Sequence, residues 1–321
     1  MLREISITEI ESIKIGHAQN MEQATGCTVI LCEKGAPTGV DVRGGGPASR
    51  ESALLSPLAA NDGIHGILLS GGSAFGLDAA GGVMRYLAER RIGFPVGDIV
   101  VPIVCEACIF DLQLVTDAHP DQEMAYEACK NAEKNIPTQG NVGAGTGATV
   151  GKLLGPAGMM NSGLGIYAAA VGDLKMGAVV AVNALGDIYD YQTNRKLAGL
   201  RDPQTGHFLD SEETMYAMHE QLALQPHANT TIGVVITNAA FTKTQLTKIA
   251  GMAHNGYARC IRPVHTTADG DTIYAMSAGD IKADINVAGT LAARVMSEAI
   301  KRAVLEAGPM YGLKCAGESA E

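Results

Sequence analysis

A chain of 321 residues that is 46% hydrophobic and 18% charged carries ample material for a core and too little charge for a disordered polymer. Its net charge of −10, with no cluster of basic residues to follow a phosphate backbone, argues against nucleic acid as a partner. Glycine numbers 39 and tryptophan is absent, so the interior must be built from small and aliphatic side chains with close backbone approaches.

Met1 to Ile15 alternates charged and apolar residues without the apolar core of a signal peptide. Glu4 to Ile15 reads as a short strand and a turn. Gly26–Cys32 and Thr38–Arg43 read as paired strands joined by a turn at Lys34-Gly35-Ala36-Pro37. Arg43-Gly44-Gly45-Gly46-Pro47 then breaks regular structure. Ile64–Ser70 is a buried strand that runs into Gly71-Gly72 and a helix over Ser73–Arg90, with Leu77, Ala80, Met84 and Leu87 on one stripe. The amides of such a strand–glycine–helix corner can bind an oxyanion; tight packing of helix on sheet explains the glycines equally well. Ile99–Val104 is a further strand. Cys105-Glu106-Ala107-Cys108 has CxxC spacing but no second pair or histidine partner, so neither zinc nor redox chemistry is read from it. The seven cysteines are odd in number and scattered, which suits reduced thiols in a cytoplasm.

Asp121–Lys134 is helical, with Met124, Ala128 and Ala132 inward. The glycine-rich run Asn141–Lys152 fails the phosphate-loop pattern at Thr146 and Leu153. It matches only the loose GxGxxA form, without the helix and acid that dinucleotide binding needs. Lys152 reads as a strand-end charge or as a lysine lining a site. Gly163–Val171 and Lys175–Asn183 form an antiparallel pair around Gly172-Asp173. Asp173 and Lys175 interrupt the most apolar region, Ile166–Leu185, so no membrane span is expected. Asn183 ends a strand of alanines and valines and needs a polar partner. In the polar segment Gly199–His227, Asp210 and Glu213 suit a capping box for a short helix to about Leu222, ended by Pro226.

In Ala228-Asn229-Thr230-Thr231-Ile232-Gly233-Val234-Val235-Ile236-Thr237-Asn238, a doubly buried strand begins at two threonines. If the chain is cut before Thr230, hydroxyl and α-amine sit on one residue, a nucleophile with its own base. Threonine also starts strands for no reason but propensity. Thr242 caps a helix over Lys243–Ala258, with Leu246, Ile249, Ala253 and Tyr257 on one face. The loop Arg262–Asp271 precedes a strand, Thr272–Ser277, and a helix over Ile285–Ala307 ends at Gly308-Pro309. Asp269 and Asp271 lie on one face of extended backbone, where paired carboxylates can hold an amine or split their pKa values; Asp-Gly is also ordinary turn chemistry. Antiparallel pairs without a steady βαβ rhythm predict an α+β fold, taken as a single domain over 1–321.

Arg43-Gly44-Gly45-Gly46-Pro47, Ser70–Asp78, Ile109-Phe110-Asp111-Leu112, Asn141–Ala148, Asn229-Thr230-Thr231-Ile232 and Asp269-Gly270-Asp271 occur here in one order. Together they resemble the self-cleaving family of L-aminopeptidase/D-esterases, β-peptidyl aminopeptidases and nylon-oligomer (6-aminohexanoate oligomer) endohydrolases, over roughly residues 10 to 310. The resemblance implies a four-layer αββα sandwich of the N-terminal-nucleophile-hydrolase kind, shared with ornithine acetyltransferases. It implies self-cleavage at Asn229–Thr230 into chains 1–229 and 230–321, with Thr230 as nucleophile and Asp269 and Asp271 as its acidic pair. Asn183 would serve as oxyanion donor and Lys152 as the site lysine. Gly71, Gly72 and Phe110 are further candidates for oxyanion or substrate contacts, and Phe110 stands where characterised members carry tyrosine. The implied activity is hydrolysis of short peptides or amides through an ester on Thr230, without metal or organic cofactor, in a homo-oligomer. Acyl transfer of the ornithine acetyltransferase kind, or an uncleaved oligomer that only binds small molecules, are the alternatives.

Overall fold

The computed structural model describes residues 1–115, 117–219 and 229–318. Ten strands form one continuous ladder: β1 (Leu2–Ile5), β2 (Lys14–Asn20), β3 (Thr25–Val42), β4 (Ala48–Arg50), β5 (Gly63–Ser70), β6 (Val104–Cys108), β7 (Leu164–Val171), β8 (Leu174–Asn183), β9 (Thr230–Ala239) and β10 (Thr272–Ile281). Their order is β1-β7-β8-β9-β10-β3-β5-β6-β4, with β2 also on β3.

The ladder turns its corner at β3. This strand runs for 18 residues without a hairpin. Its end, Thr38–Val42, pairs with β10, while Thr25–Leu31 pairs with β2 and Cys27–Leu31 with β5. The register against β5 breaks between Leu31 and Ala36, and Gly35 supplies a φ of +76°. The turn expected at Lys34–Pro37 is therefore a bulge. The same residue types that close a hairpin here bend one strand from the first sheet into the second.

Three apolar clusters separate four layers. Between the sheets lie Ile30, Ile67 and Leu69 from one side and Val179, Ile232, Val234, Ile236 and Met276 from the other. The outer face of the β7–β10 sheet packs Val180, Val182 and Val235 against helices α4 (Lys243–Cys260) and α5 (Ile285–Leu305). The outer face of the second sheet packs Val29, Leu31 and Leu68 against α1 (Ala80–Glu89) and α2 (Gln122–Ala132). This is an α+β protein with αββα layering. Glycine sets how closely the helices dock: a Cβ on Gly165 would lie 1.9 Å from the Ala299 carbonyl of α5. The small core side chains required by the composition are thus spent on close layer contact.

The expected helix over Ser73–Arg90 divides into a 3-10 turn, Ser73–Asp78, and α1, because the glycine corner leaves Ser73 at a φ of +53°. The expected strand Ile99–Val104 is broken at Pro102-Ile103; Ile99–Val101 instead pairs with Phe94–Val96 in a small separate hairpin. Asp210 caps a helix, α3 (Ser211–Ala217), while the ends expected at Leu222 and Pro226 lie outside the described residues. No helix among the described residues is long and apolar enough to cross a membrane.

Candidate active site

Strand direction brings the site together. β8 runs antiparallel to β9, so its last residue, Asn183, lies opposite the first residue of β9, Thr230. β10 runs parallel to β9, so the loop before it, carrying Asp269 and Asp271, reaches the same end. Three segments distant in sequence therefore meet at one edge of the sandwich.

The Asn229–Thr230 peptide is fixed there by the loop 268–270. The Asn229 N–H donates to the Ala268 carbonyl at 3.0 Å, and the Gly270 N–H donates to the Asn229 carbonyl at 2.9 Å. The Thr230 hydroxyl also donates to that carbonyl. Gly270 permits this approach, since a Cβ there would sit 2.7 Å from Thr230 Oγ1 and 2.9 Å from the Gly46 carbonyl. The glycine run clasps the loop from outside: Arg43 N–H donates to the Asp271 carbonyl at 2.9 Å and Gly46 N–H to the Asp269 carbonyl at 2.8 Å. Asn229 and Thr230 are only 2% and 4% exposed.

The two carboxylates are unequal. Asp271 accepts from the Thr231 N–H at 2.8 Å on one oxygen, and from the His265 N–H (3.1 Å) and His265 Nδ1 (2.8 Å) on the other. Asp269 accepts from the Thr266 N–H (2.7 Å) and hydroxyl (2.6 Å), both on Oδ2. Burial, and after it the charge of Asp271, pushes Asp269 up to about 6. A carboxyl so placed exchanges a proton near neutral pH.

Lys152 lies 3% exposed beneath the strand ends and donates to Asn183 Oδ1 at 2.5 Å. Burial pushes its ammonium down to about 7, against the pull of Asp111 and Asp269. The Thr149 N–H donates to the same Asn183 oxygen at 3.1 Å. These two donors settle which end of the Asn183 amide is oxygen. Nδ2 then donates one N–H to the Phe110 carbonyl at 2.9 Å, leaving a second N–H in its inventory. Phe110 thus enters the site through its backbone, where the side chain type matters least.

At the corner of Gly71 and Gly72, where an oxyanion contact or tight packing is expected, the amides have partners inside the chain. The Gly71 N–H is taken by the Gly26 carbonyl (3.0 Å) and the Ser73 N–H by the Ile109 carbonyl (2.9 Å). The Gly72 N–H is taken by Asp111 Oδ1 (2.7 Å), whose other oxygen accepts from Thr25 Oγ1 (2.7 Å). The amides of the corner are spent inside the chain. Asp111 is raised by burial despite these donors and the charge of Lys152. The sequence gives no role to Asp111, His265, Thr266 or the clasp by Gly44–Gly46. A histidine and two threonines just before an Asp-x-Asp pair are the available signal. Cys105 and Cys108 are buried on β6, where residues three apart face opposite ways, so CxxC spacing makes no ligand pair there.

A model of peptidase family S58 matches residues 6–316. An uncharacterised aminopeptidase of Mycobacterium bovis is 34% identical over 96% of each chain. A 6-aminohexanoate-oligomer endohydrolase of Agromyces is 32% identical, covering 95% of this chain and 86% of its own. Among solved structures, a Burkholderia β-aminopeptidase superposes with a TM-score of 0.67 at 18% identity, over 96% of this chain and 89% of the other. The L-aminopeptidase D-Ala-esterase/amidase of Ochrobactrum anthropi, described as a variant of the N-terminal-nucleophile hydrolase fold, gives 0.68 at 18% identity over 97% and 90%.

Proposed function

The chain belongs to peptidase family S58 and is a hydrolase of peptide or amide bonds, and from that premise we propose that it cuts itself between Asn229 and Thr230 and then works through the freed N-terminal threonine. The observation that carries this reading is the peptide itself: a scissile carbonyl held by the Gly270 N–H, with the Thr230 hydroxyl against it and Asp269 in the facing residue.

In the first stage Thr230 Oγ1 attacks the Asn229 carbonyl carbon and gives its proton to Asp269. The Gly270 N–H, already on that oxygen, and the second N–H of Asn183 stabilise the tetrahedral oxyanion. The C–N bond breaks, and the Thr230 nitrogen takes the proton back from Asp269 and leaves as an amine. Water then hydrolyses the ester, releasing the Asn229 carboxylate and restoring the hydroxyl. In the second stage the Thr230 amine, with a typical α-amino pKa of about 7.7–8.0, is the base for its own hydroxyl. Asp271, fixed 2.8 Å from the Thr231 N–H, orients this first turn of strand, and Lys152 holds Asn183 as donor. A short amide or peptide passes its acyl group to Thr230 and then to water. Seven free and buried cysteines support a reducing compartment.

The test is intact mass and N-terminal sequencing of the purified protein, beside Thr230→Ala. Two chains, the smaller beginning at Thr230, and a single chain for the variant are expected. Wild-type protein that stays whole on long incubation refutes the reading. The processed protein should then hydrolyse amino-acid p-nitroanilides, and Thr230→Ala should not.

A further inference from the structure

We propose that His265 is a positioning residue for the carboxylate pair: its backbone N–H and imidazole hold Asp271 in the pose that binds the Thr231 N–H, beside Asp269. The proposal rests on the reading that the chain cuts itself before Thr230.

His265 sits at a φ of +60°, which turns both its N–H and its ring onto one oxygen of Asp271. With Thr231 on the other oxygen, the carboxylate meets three donors. A hydrogen bond from Nδ1 to a carboxylate puts a proton on Nδ1. Nε2 is buried and has no hydrogen-bond partner among the described residues. The neighbouring ring, His254, stands at 4.8 Å between centroids and 73° between planes. Its Nε2 lies 3.0 Å from the Asp41 carbonyl, an acceptor, so Nε2 carries the proton and Nδ1 is a bare acceptor. That Nδ1 too is buried without a partner among the described residues.

Two bare ring nitrogens in adjacent buried imidazoles make a costly arrangement. Burial pushes His254 down to about 4, which keeps it neutral and in the accepting role. The groups around the His265 ring are Asp271 and Asp269 on its own loop, and from α4 His254 and Tyr257, whose ring stacks at 6.0 Å. Asp41 and Arg43 stand behind His254.

His265 also draws the Asp269 carboxyl down, against the burial that raises it. It thereby acts on both members of the pair, holding Asp271 and tuning Asp269, without touching the reacting atoms.

The experiment follows cleavage of the full chain made by cell-free synthesis, on denaturing gels from pH 5 to 9, for wild type, His265→Ala and His265→Asn. In wild type the rate should rise through about pH 6, where Asp269 ionises. In His265→Ala it should fall about 10- to 100-fold at pH 8 through misplacement of Asp271. Its acidic limb should move up, because Asp269 loses the interaction with His265 that opposes the effect of burial. Asparagine tolerates the positive φ and offers an amide donor in place of Nδ1, so His265→Asn should recover most of the rate and keep the displaced limb. Unchanged rate and limb in His265→Ala overturn the proposal. So does slowing by one factor at every pH with no recovery in His265→Asn, which is what a merely structural histidine would give. A wild-type chain that does not cut itself removes the underlying reading, and this proposal with it.

Discussion

Gly270→Ala isolates one atom of the mechanism. The added Cβ would lie 2.7 Å from Thr230 Oγ1, 2.9 Å from the Gly46 carbonyl and 3.1 Å from Thr230 Cγ2. Gly46 cannot retreat, because its own N–H is tied to Asp269 at 2.8 Å within the clasp of the glycine run. The Thr230 side chain is the part free to move, and ordinary contact at 3.4 Å needs a displacement of about 0.7 Å. Misplacement by 1 Å costs on the order of 10²-fold in rate, so self-cleavage should slow by roughly 10- to 100-fold. The contact is local, so the fold should survive. The assay is the half-time of precursor conversion by gel and intact mass, beside the thermal midpoint. An alanine variant that is folded and processes at the wild-type rate would show that the hydroxyl does not work from the position seen here.

Two further substitutions separate catalysis from stability. Lys152→Met removes the 2.5 Å donor that fixes the Asn183 amide, so processing should fall by about 10²- to 10³-fold, the usual loss when an oxyanion donor is misdirected. The same change should not lower the thermal midpoint at pH 6: the lysine is pushed down to about 7 when folded and sits near 10.5 when unfolded, so its burial cost is full below about 7 and fades towards 10.5. A processing rate kept in Lys152→Met would refute the role given to Lys152. Glu106, buried on β6 and pushed up to about 8 by desolvation, offers a pH test away from the site. Its folded value lies above its unfolded one, so the stability it contributes is full below about 4.5 and is lost as pH rises through about 8. Glu106→Gln should therefore raise the thermal midpoint at pH 9 and leave it nearly unchanged at pH 5; equal effects at both values would refute this.

The sequence carried the elements better than their junctions. Apolar runs mark β5, β7, β8 and β9, apolar stripes mark α2 and α4, and the Gly308-Pro309 stop marks the end of α5, because local propensity and burial agree there. β3 defeats that logic: bending between two sheets calls for the same Gly and Pro as closing a hairpin, and only long-range pairing tells the two apart. The site divides in the same way. Thr230, Asn183 and the aspartates have local marks, a hydroxyl or amide at a strand end and an Asp-x-Asp pair. Asp111, His265 and the clasp at Gly44–Gly46 act across sequence distance, on Gly72, on Asp271 and on the loop 266–271, and nothing near them in the chain states the partner.

The uncut geometry also bears on why cleavage and activity are coupled in the proposed mechanism. The Asn229 main chain occupies the Ala268 carbonyl and the Gly270 N–H, and neither Asn229 nor Thr230 is appreciably open to solvent. The side-chain amide of Asn229 is buried with no partner among the described residues, so the residue is held by its backbone alone. Scission removes the bond that keeps it there. Its departure leaves a carbonyl and an amide of the loop 268–270 in need of partners, beside a threonine that now carries both amine and hydroxyl. Buried main-chain groups are costly to leave unpaired, so whatever acyl group next reaches Thr230 gains by taking the pose that Asn229 gave up. In the proposed mechanism the precursor's own peptide is thus the first substrate, and the loop that would hold it for cutting is the loop that would later hold what is cut.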